Sequence, residues 1–280
     1  MAALLRTWTG REVATAAAEV LPWLLRQEGV NNLLVGLLSA AQAGREQGLD
    51  LAAVRGPGGT TLAVGLRSTV KYALSPAEDP GAVRLLAQDA LRRHPDLPGW
   101  VGPAAEADAF ADVWAAAERP PRLGRRLRIY ELEAVRPGPR APGELLPAGR
   151  EHRDRLIAWS EAFAAEIGEP LRREAAASVD EDLALGTAFV WREPGGALVA
   201  LAACGGATPN GIRIRKVFTP PERRRRGYAS AAVAALSARL LAGGRRFCFL
   251  YADEANPTAN AIYQAIGYRA VCAVRDYALP

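Results

Sequence analysis

Arg223-Arg224-Arg225-Arg226-Gly227-Tyr228-Ala229 is the stretch on which the reading of this chain turns. An apolar, strand-like run over 212–219 and the breaker pair Pro220-Pro221 precede it, and an alanine-rich helical pattern over 229–241 follows. A turn that opens a helix leaves several backbone N–H groups unpaired, and the helix dipole favours an anion at that end. Gly227 has no side chain to hold a ligand away from the backbone. Ala229 keeps the next turn nearly as open. Four arginines add mobile positive charge around the same spot, and the whole predicts a cradle for a pyrophosphate.

The 280 residues suffice for two domains at roughly 100–200 residues each. Half of them are hydrophobic, enough for a sizeable core in each. The net charge of +5 argues only weakly for nucleic acid, because the arginine cluster accounts for much of it and an anionic cofactor uses the same residues. His94 and His152 are the only histidines, which disfavours a His-dependent triad or a His-rich metal site. Cys204, Cys248 and Cys272 stand far apart in apolar runs and read as small hydrophobes, as suits a reducing compartment. Residues 1–10 lack the charged-then-apolar pattern of an export signal, and no apolar run approaches about 18 residues. The expectation is a cytoplasmic protein with no membrane partner.

Arg136-Pro137-Gly138-Pro139-Arg140-Ala141-Pro142-Gly143 reads as a linker. It divides the chain into 1–136, a linker 137–143, and 144–280. In the second part, helical spacing marks 151–167 and 171–185. Strands are expected over 187–192, 197–204, 212–219 and 247–252, a helix over 257–266, and a pair of strands across 268–278. The first part repeats the plan: helices over 12–26 and 32–43, strands over 49–55, 61–66 and 70–74, a helix over 82–93, a strand near 100–101, a helix over 105–118 and a strand over 127–135. One feature does not repeat. Ser75-Pro76-Ala77-Glu78-Asp79-Pro80-Gly81, at the place of the arginine turn, has no arginine and carries two carboxylates. The first part is therefore expected not to bind the anion.

Arg-x-x-Gly-x-Ala at Arg224, Gly227 and Ala229 resembles the acyl-CoA signature of GNAT-type N-acetyltransferases. Asn256-Pro257-Thr258-Ala259-Asn260-Ala261-Ile262-Tyr263-Gln264-Ala265-Ile266-Gly267-Tyr268 resembles the closing helix of the same family, one helix and one strand further on. The resemblance covers 143–280 well; the first part is similar only in its order of elements, like the degenerate N-terminal copy of tandem members. It implies an α/β (α+β) fold of two GNAT-like domains in tandem, each a mixed, splayed β-sheet flanked by helices. It implies acetyl-CoA as co-substrate and no metal. Val217, Phe218 and Thr219 are then the strand segment along the pantetheine arm, with the backbone of Val217 and Thr219 facing it and Phe218 pointing the other way. Arg224, Arg225, Arg226, Gly227, Tyr228 and Ala229 hold the pyrophosphate, and Asn256 caps its helix, bonds the pantetheine arm, or does both. Tyr263 is the candidate general acid for the departing thiolate; the competing reading is a packing tyrosine on one face with Ala259 and Ile266.

The base is less evident. The family often uses a carboxylate on the strand before the turn, and here that strand reads Arg213-Ile214-Arg215-Lys216. A water chain, Glu166, Glu174, Asp182, Asp253 or Glu254 stays open, against the commoner fate of such acids as exposed, turn or capping residues. The expected acceptor is an amine on a small molecule or a peptide, with no nucleic acid. The first part covers the acceptor groove or builds a homodimer. A non-catalytic acyl-CoA sensor on the same scaffold is the rival.

Overall fold

The two parts of the chain run through the same order of elements. The computed structural model describes residues 3–138, 141–168 and 174–279. The first half comprises β1 (Leu4–Thr9), α1 (Glu12–Leu24), α2 (Asn32–Gln42), β2 (Asp50–Arg55), β3 (Thr61–Arg67), β4 (Tyr72–Leu74), α3 (Pro80–Arg93), β5 (Gly99–Pro103), α4 (Ala104–Ala116) and β6 (Arg122–Leu132). The second comprises β7 (Glu144–Pro147), α5 (Arg153–Glu166), α6 (Ala175–Ala184), β8 (Ala188–Arg192), β9 (Leu198–Gly205), β10 (Gly211–Phe218), α7 (Tyr228–Ala242), β11 (Phe247–Asp253), α8 (Pro257–Ile266) and β12 (Arg269–Ala278). Strands β1 and β7 were not expected from the sequence. The strand pair expected across 268–278 is a single strand, β12, with register shifts between Ala270 and Cys272 and between Asp276 and Tyr277. Linker residues 139–140 and positions 171–173 of an expected helix lie outside the described residues.

Local chemistry explains where these elements start and stop. Asp79 caps α3 by accepting from the Gly81 amide at 2.8 Å, Pro80 takes the first helical position, and Arg92 and Arg93 sit in the last turn. Asn256 caps α8 in the same way, its Oδ1 accepting from the Ala259 amide at 3.0 Å with Pro257 next. Gly267 ends α8 at φ 121°; a Cβ there would lie 2.9 Å from the Ala134 carbonyl oxygen, so only glycine fits.

All twelve strands form one sheet, in the order β1-β2-β3-β4-β5-β12-β6-β11-β10-β9-β8-β7. The last strand of each half has been exchanged. β6, from the first half, zips antiparallel onto β11 from Leu132↔Cys248 to Leu127↔Asp253. β12, from the second half, lies between β6 and β5 and pairs with both. Alternation within strands covers both faces. In β2, Leu51 and Ala53 face α1 and α2, while Ala52 and Val54 face α3 and α4. In β8, Ala188 and Val190 face α5 and α6, while Phe189 and Trp191 face α7.

A second clasp joins the halves. Glu28, buried between α1 and α2, takes hydrogen bonds from the Asn210 amide at 2.9 Å, from Asn210 Nδ2 at 2.7 Å and from the Thr208 hydroxyl. Arg213 Nε donates to Asn32 Oδ1 at 3.1 Å. Removing the Glu28 carboxylate strands buried donors, at a cost of about 1–3 kcal/mol.

This exchange yields a test. Expressed apart, residues 1–136 and 144–280 each leave the outer edge of a fifth strand, β5 or β11, without its neighbour. We expect neither alone to unfold cooperatively, and the two co-expressed to copurify as one species with native circular dichroism. A monomeric second half with a sharp thermal transition of its own would show that the borrowed strand is dispensable.

Candidate functional site

The site begins where two parallel strands part. β10 and β11 pair only at Gly211↔Phe247, Ile212↔Cys248 and Arg213↔Phe249. Beyond that point β10 stays with β9 and β11 stays with β6, so each presents an open edge to the other. A bulge bends β10 away. Its register on β9 shifts between Arg215 and Phe218, and Lys216 takes φ 51°, a left-handed conformation that side-chain-bearing residues rarely adopt. Asp182 of α6 anchors the bulge. This buried carboxylate accepts from Lys216 Nζ at 2.8 Å, from Thr187 Oγ1 at 3.0 Å, and from Arg215. Lys216 also donates to Ser178 Oγ at 2.7 Å.

Above the gap lies the arginine turn. Gly227 has φ 78° and Arg225 φ 61°, and the first backbone bond of α7 runs from Ala231 N to Gly227 O at 2.9 Å. Among the described residues the amides of Arg225 through Ser230 have no backbone acceptor. Gly227 is exposed, and a Cβ there would meet nothing nearer than Ala141 Cβ at 3.6 Å. The four arginines divide into two kinds. Arg223 Nη1 donates to Glu193 Oε1 at 3.1 Å, and Arg224 donates to the Thr219 carbonyl at 2.9 Å and to Glu166. These two brace the turn. Arg225 and Arg226 are exposed. Tyr228 donates to Glu193 Oε2 at 2.7 Å, a bond that raises its phenol above the ordinary range, and Ala229 is half-buried in the first turn.

The strand residues beneath the turn divide similarly. Val217 packs against the core under α7, while Phe218 is buried between β10 and the α5–α6 pair, with the Arg224 guanidinium 5.9 Å from its ring centre. Thr219 is buried, and its hydroxyl has no partner among the described residues.

Tyr263 sits half-buried on α8. Its ring lies 6.3 Å from that of Tyr130 and 6.0 Å from that of Tyr268. Burial pushes its phenol up to about 12, and no hydrogen bond reaches it from the described residues. Asn256 spends its Oδ1 on the cap. Asn260, not singled out from the sequence, fixes the helix: its Nδ2 donates to the Asp253 carbonyl at 2.8 Å, and its Oδ1 accepts from the Tyr130 hydroxyl at 2.7 Å. Its place one helical turn past the cap was the available signal. Of the acids considered as bases, Glu166 is paired with Arg224 and Asp182 with Arg215 and Lys216. Asp253 accepts from the Ala255 amide, Glu254 contacts Arg128 and Arg275, and Glu174 is exposed at the start of α6.

The first half repeats the parting, with β4 and β5 paired only at Tyr72↔Trp100 and Ala73↔Val101. Its turn is closed by the chain itself. Asp79 takes the Gly81 amide at 2.8 Å, Glu106 the Ala77 amide at 3.0 Å, and the Glu78 amide donates to the Leu62 carbonyl.

Residues 193–276 match the family described as FR47-like protein. Solved structures with similar folds include a Drosophila melanogaster protein, at TM-score 0.68 and 13% identity over 100% of this chain and 99% of that one. A GNAT-family acetyltransferase from Colwellia psychrerythraea matches at 0.59 and 12% over 99% and 100%. A tandem GNAT protein from the clavulanic acid biosynthesis pathway matches at 0.55 and 15% over 99% and 98%. This chain has the GNAT fold in its tandem form. No curated protein sequence matches it closely enough to count as a relative. In this chain no group of three His, Cys, Asp or Glu side chains is placed to hold a metal among the described residues, and none of their helices is long and apolar enough to cross a membrane.

Two measurements check the site. Asp182→Ala leaves two cations beside a vacated buried position, so we expect a loss of about 3–5 kcal/mol in urea denaturation; a loss below 1 kcal/mol would mean that the bulge holds without it. The second follows from burial of Tyr263. Its folded pKa lies near 12 against an unfolded value of about 10, so its contribution is complete below pH 10 and is lost as pH rises towards 12. Stability should fall between pH 10 and pH 12, and Tyr263→Phe should make that fall shallower.

Proposed function

We propose that this chain is an acyltransferase that moves an acetyl group from acetyl-CoA to an amine on a small molecule or peptide in the cytoplasm. The observation that carries the reading is the open gap above Arg213 and Phe249, capped by a turn whose amides, from Arg225 to Ser230, have no backbone acceptor among the described residues. A diphosphate fits that turn by donor chemistry: outward amides at a helix N-terminus, an exposed glycine, and Arg225 and Arg226 at its rim. The unpaired edges below it suit an extended, amide-bearing arm laid along β10 as an added strand. The coenzyme supplies the activated thioester.

The residues then take separate roles. The backbone of Val217 and Thr219 lines the arm, with Phe218 anchoring the strand from the opposite face. Asn256 holds the entrance to α8 beside it. Tyr263 keeps its proton at its hydroxyl oxygen across the physiological range. Because a thiol titrates near 8.5, complete transfer from a phenol at about 12 is uphill by roughly 5 kcal/mol. Tyr263 therefore acts by donating a hydrogen bond to sulfur as negative charge develops there, and solvent delivers the proton afterwards. Deprotonation of the amine falls to water or to Glu174, since the other four acids considered are engaged elsewhere.

That engagement is also what favours the rival, a non-catalytic acyl-CoA sensor. Calorimetry with acetyl-CoA followed by an amine panel with thiol detection separates the two: binding without thiol release from any amine would favour the sensor. Tyr263→Phe should lower kcat ten-fold or more with CoA affinity unchanged, and unchanged turnover would remove it from the mechanism. Gly227→Glu puts a carboxylate and an unfavourable left-handed conformation into the cradle, and CoA binding should vanish while the thermal transition persists. Retained CoA binding would refute the turn assignment.

A further inference from the structure

Three arginines share one face of the exchanged strands with too few acids to balance them. Arg126 of β6 and Arg275 of β12 stand directly opposite each other in register, and Arg128 follows two residues along β6. Directly opposed side chains on antiparallel strands have Cβ atoms about 5 Å apart, and like charges there are destabilising. Glu254 is the one carboxylate within ion-pair distance of any of the three among the described residues: Arg128 approaches it at 3.2 Å and Arg275 at 3.8 Å. Arg126 has no ion pair among the described residues and is exposed. The neighbours across the strands are small, with Gly102 opposite Arg275 and Ala273 opposite Arg128; Gly102 is buried beside Leu74, while Ala273 is exposed. Asp108 of α4 is taken up by Tyr277, whose hydroxyl donates to it at 2.8 Å. On the opposite face of the same strands each cation has a carboxylate partner: Arg125 and Lys71 both pair with buried Asp276.

From this imbalance we infer a second anion site, separate from the arginine turn: Arg126, Arg128 and Arg275 form a cradle for a phosphate-type oxyanion on the sheet face that carries α4 and α8. Guanidinium pairs present parallel N–H donors that match phosphate oxygens two at a time. A dianion between Arg126 and Arg275 turns their repulsion into a bridge. The strands that hold it come one from each half, so its occupation stabilises the exchanged pair.

The test uses inorganic phosphate against chloride at matched ionic strength, on the full chain carrying Gly227→Glu so that the turn contributes nothing. Phosphate at ten times its dissociation constant should raise the melting temperature by about 3 °C or more. Adding Arg126→Gln should raise the melting temperature in chloride, by relieving repulsion, and abolish the phosphate increment. Arg45→Gln, an exposed charge control elsewhere, should leave the increment intact. No increment in the Gly227→Glu protein would overturn the site. So would an increment that survives Arg126→Gln, or one that Arg45→Gln reduces equally, since either would mark a general charge effect. None of these outcomes depends on coenzyme binding, so the acyltransferase reading stands or falls apart from this one.

Discussion

Everything at the candidate site depends on β11 being able to let go of β10. A strand that loses its neighbour on one side must keep its backbone groups satisfied on the other. Here the first half provides that other side. β6 runs along β11 through Asp253, well past the point where β10 departs. The gap is thus held open by a strand from the half that lacks the arginine turn. β12 returns the arrangement to β5. The two halves meet in one sheet through two reciprocal junctions.

The second requirement is that β10 bend without collapsing into the gap. Lys216 sits in a conformation that costs backbone energy, and Asp182 holds it by its side chain. Isolated in the interior, a carboxylate is unfavourable; with two cations and a hydroxyl around it, it is a tether. The same logic runs through the turn, where Glu166 and Glu193 take Arg224 and Arg223. The basic character of this region is therefore partly structural. Arg223 and Arg224 position the turn, Arg226 reaches the Tyr228 hydroxyl, and Arg225 and Arg226 both stay exposed at its rim.

Much of this was legible in the sequence, and what was not has physical reasons. The helix over 257–266 was readable to the residue because Asn256, Pro257 and Gly267 act locally. The break before α7 was readable because Pro-Pro and a left-handed glycine leave few alternatives. The exchange of β6 and β12 was not, since pairing between residues more than a hundred positions apart leaves no periodic mark. β1 was missed because its edge position leaves it mostly exposed, and β7 because it is four residues ending in proline. The first five residues of β6 hid behind their arginines. Asp182 looked like an ordinary helix charge because its partners lie across a bulge.

The comparison between the two turns shows how one backbone plan is committed to different chemistry. Both halves part a parallel strand pair and follow it with a helix. In the first, Asp79 and Glu106 reach the Gly81 and Ala77 amides from within the chain. A carboxylate there does for the helix start what a bound phosphate would do, and its negative charge repels any anion arriving from solvent. In the second, the position after the break is glycine with φ 78°, and no side chain of the described residues caps the helix. A glycine at the N-cap costs the helix only about a few tenths of a kcal/mol against a capping side chain, and it leaves the amides of the first turn open. The half that caps its own helix lends a strand, and the half that borrows it leaves its helix start open.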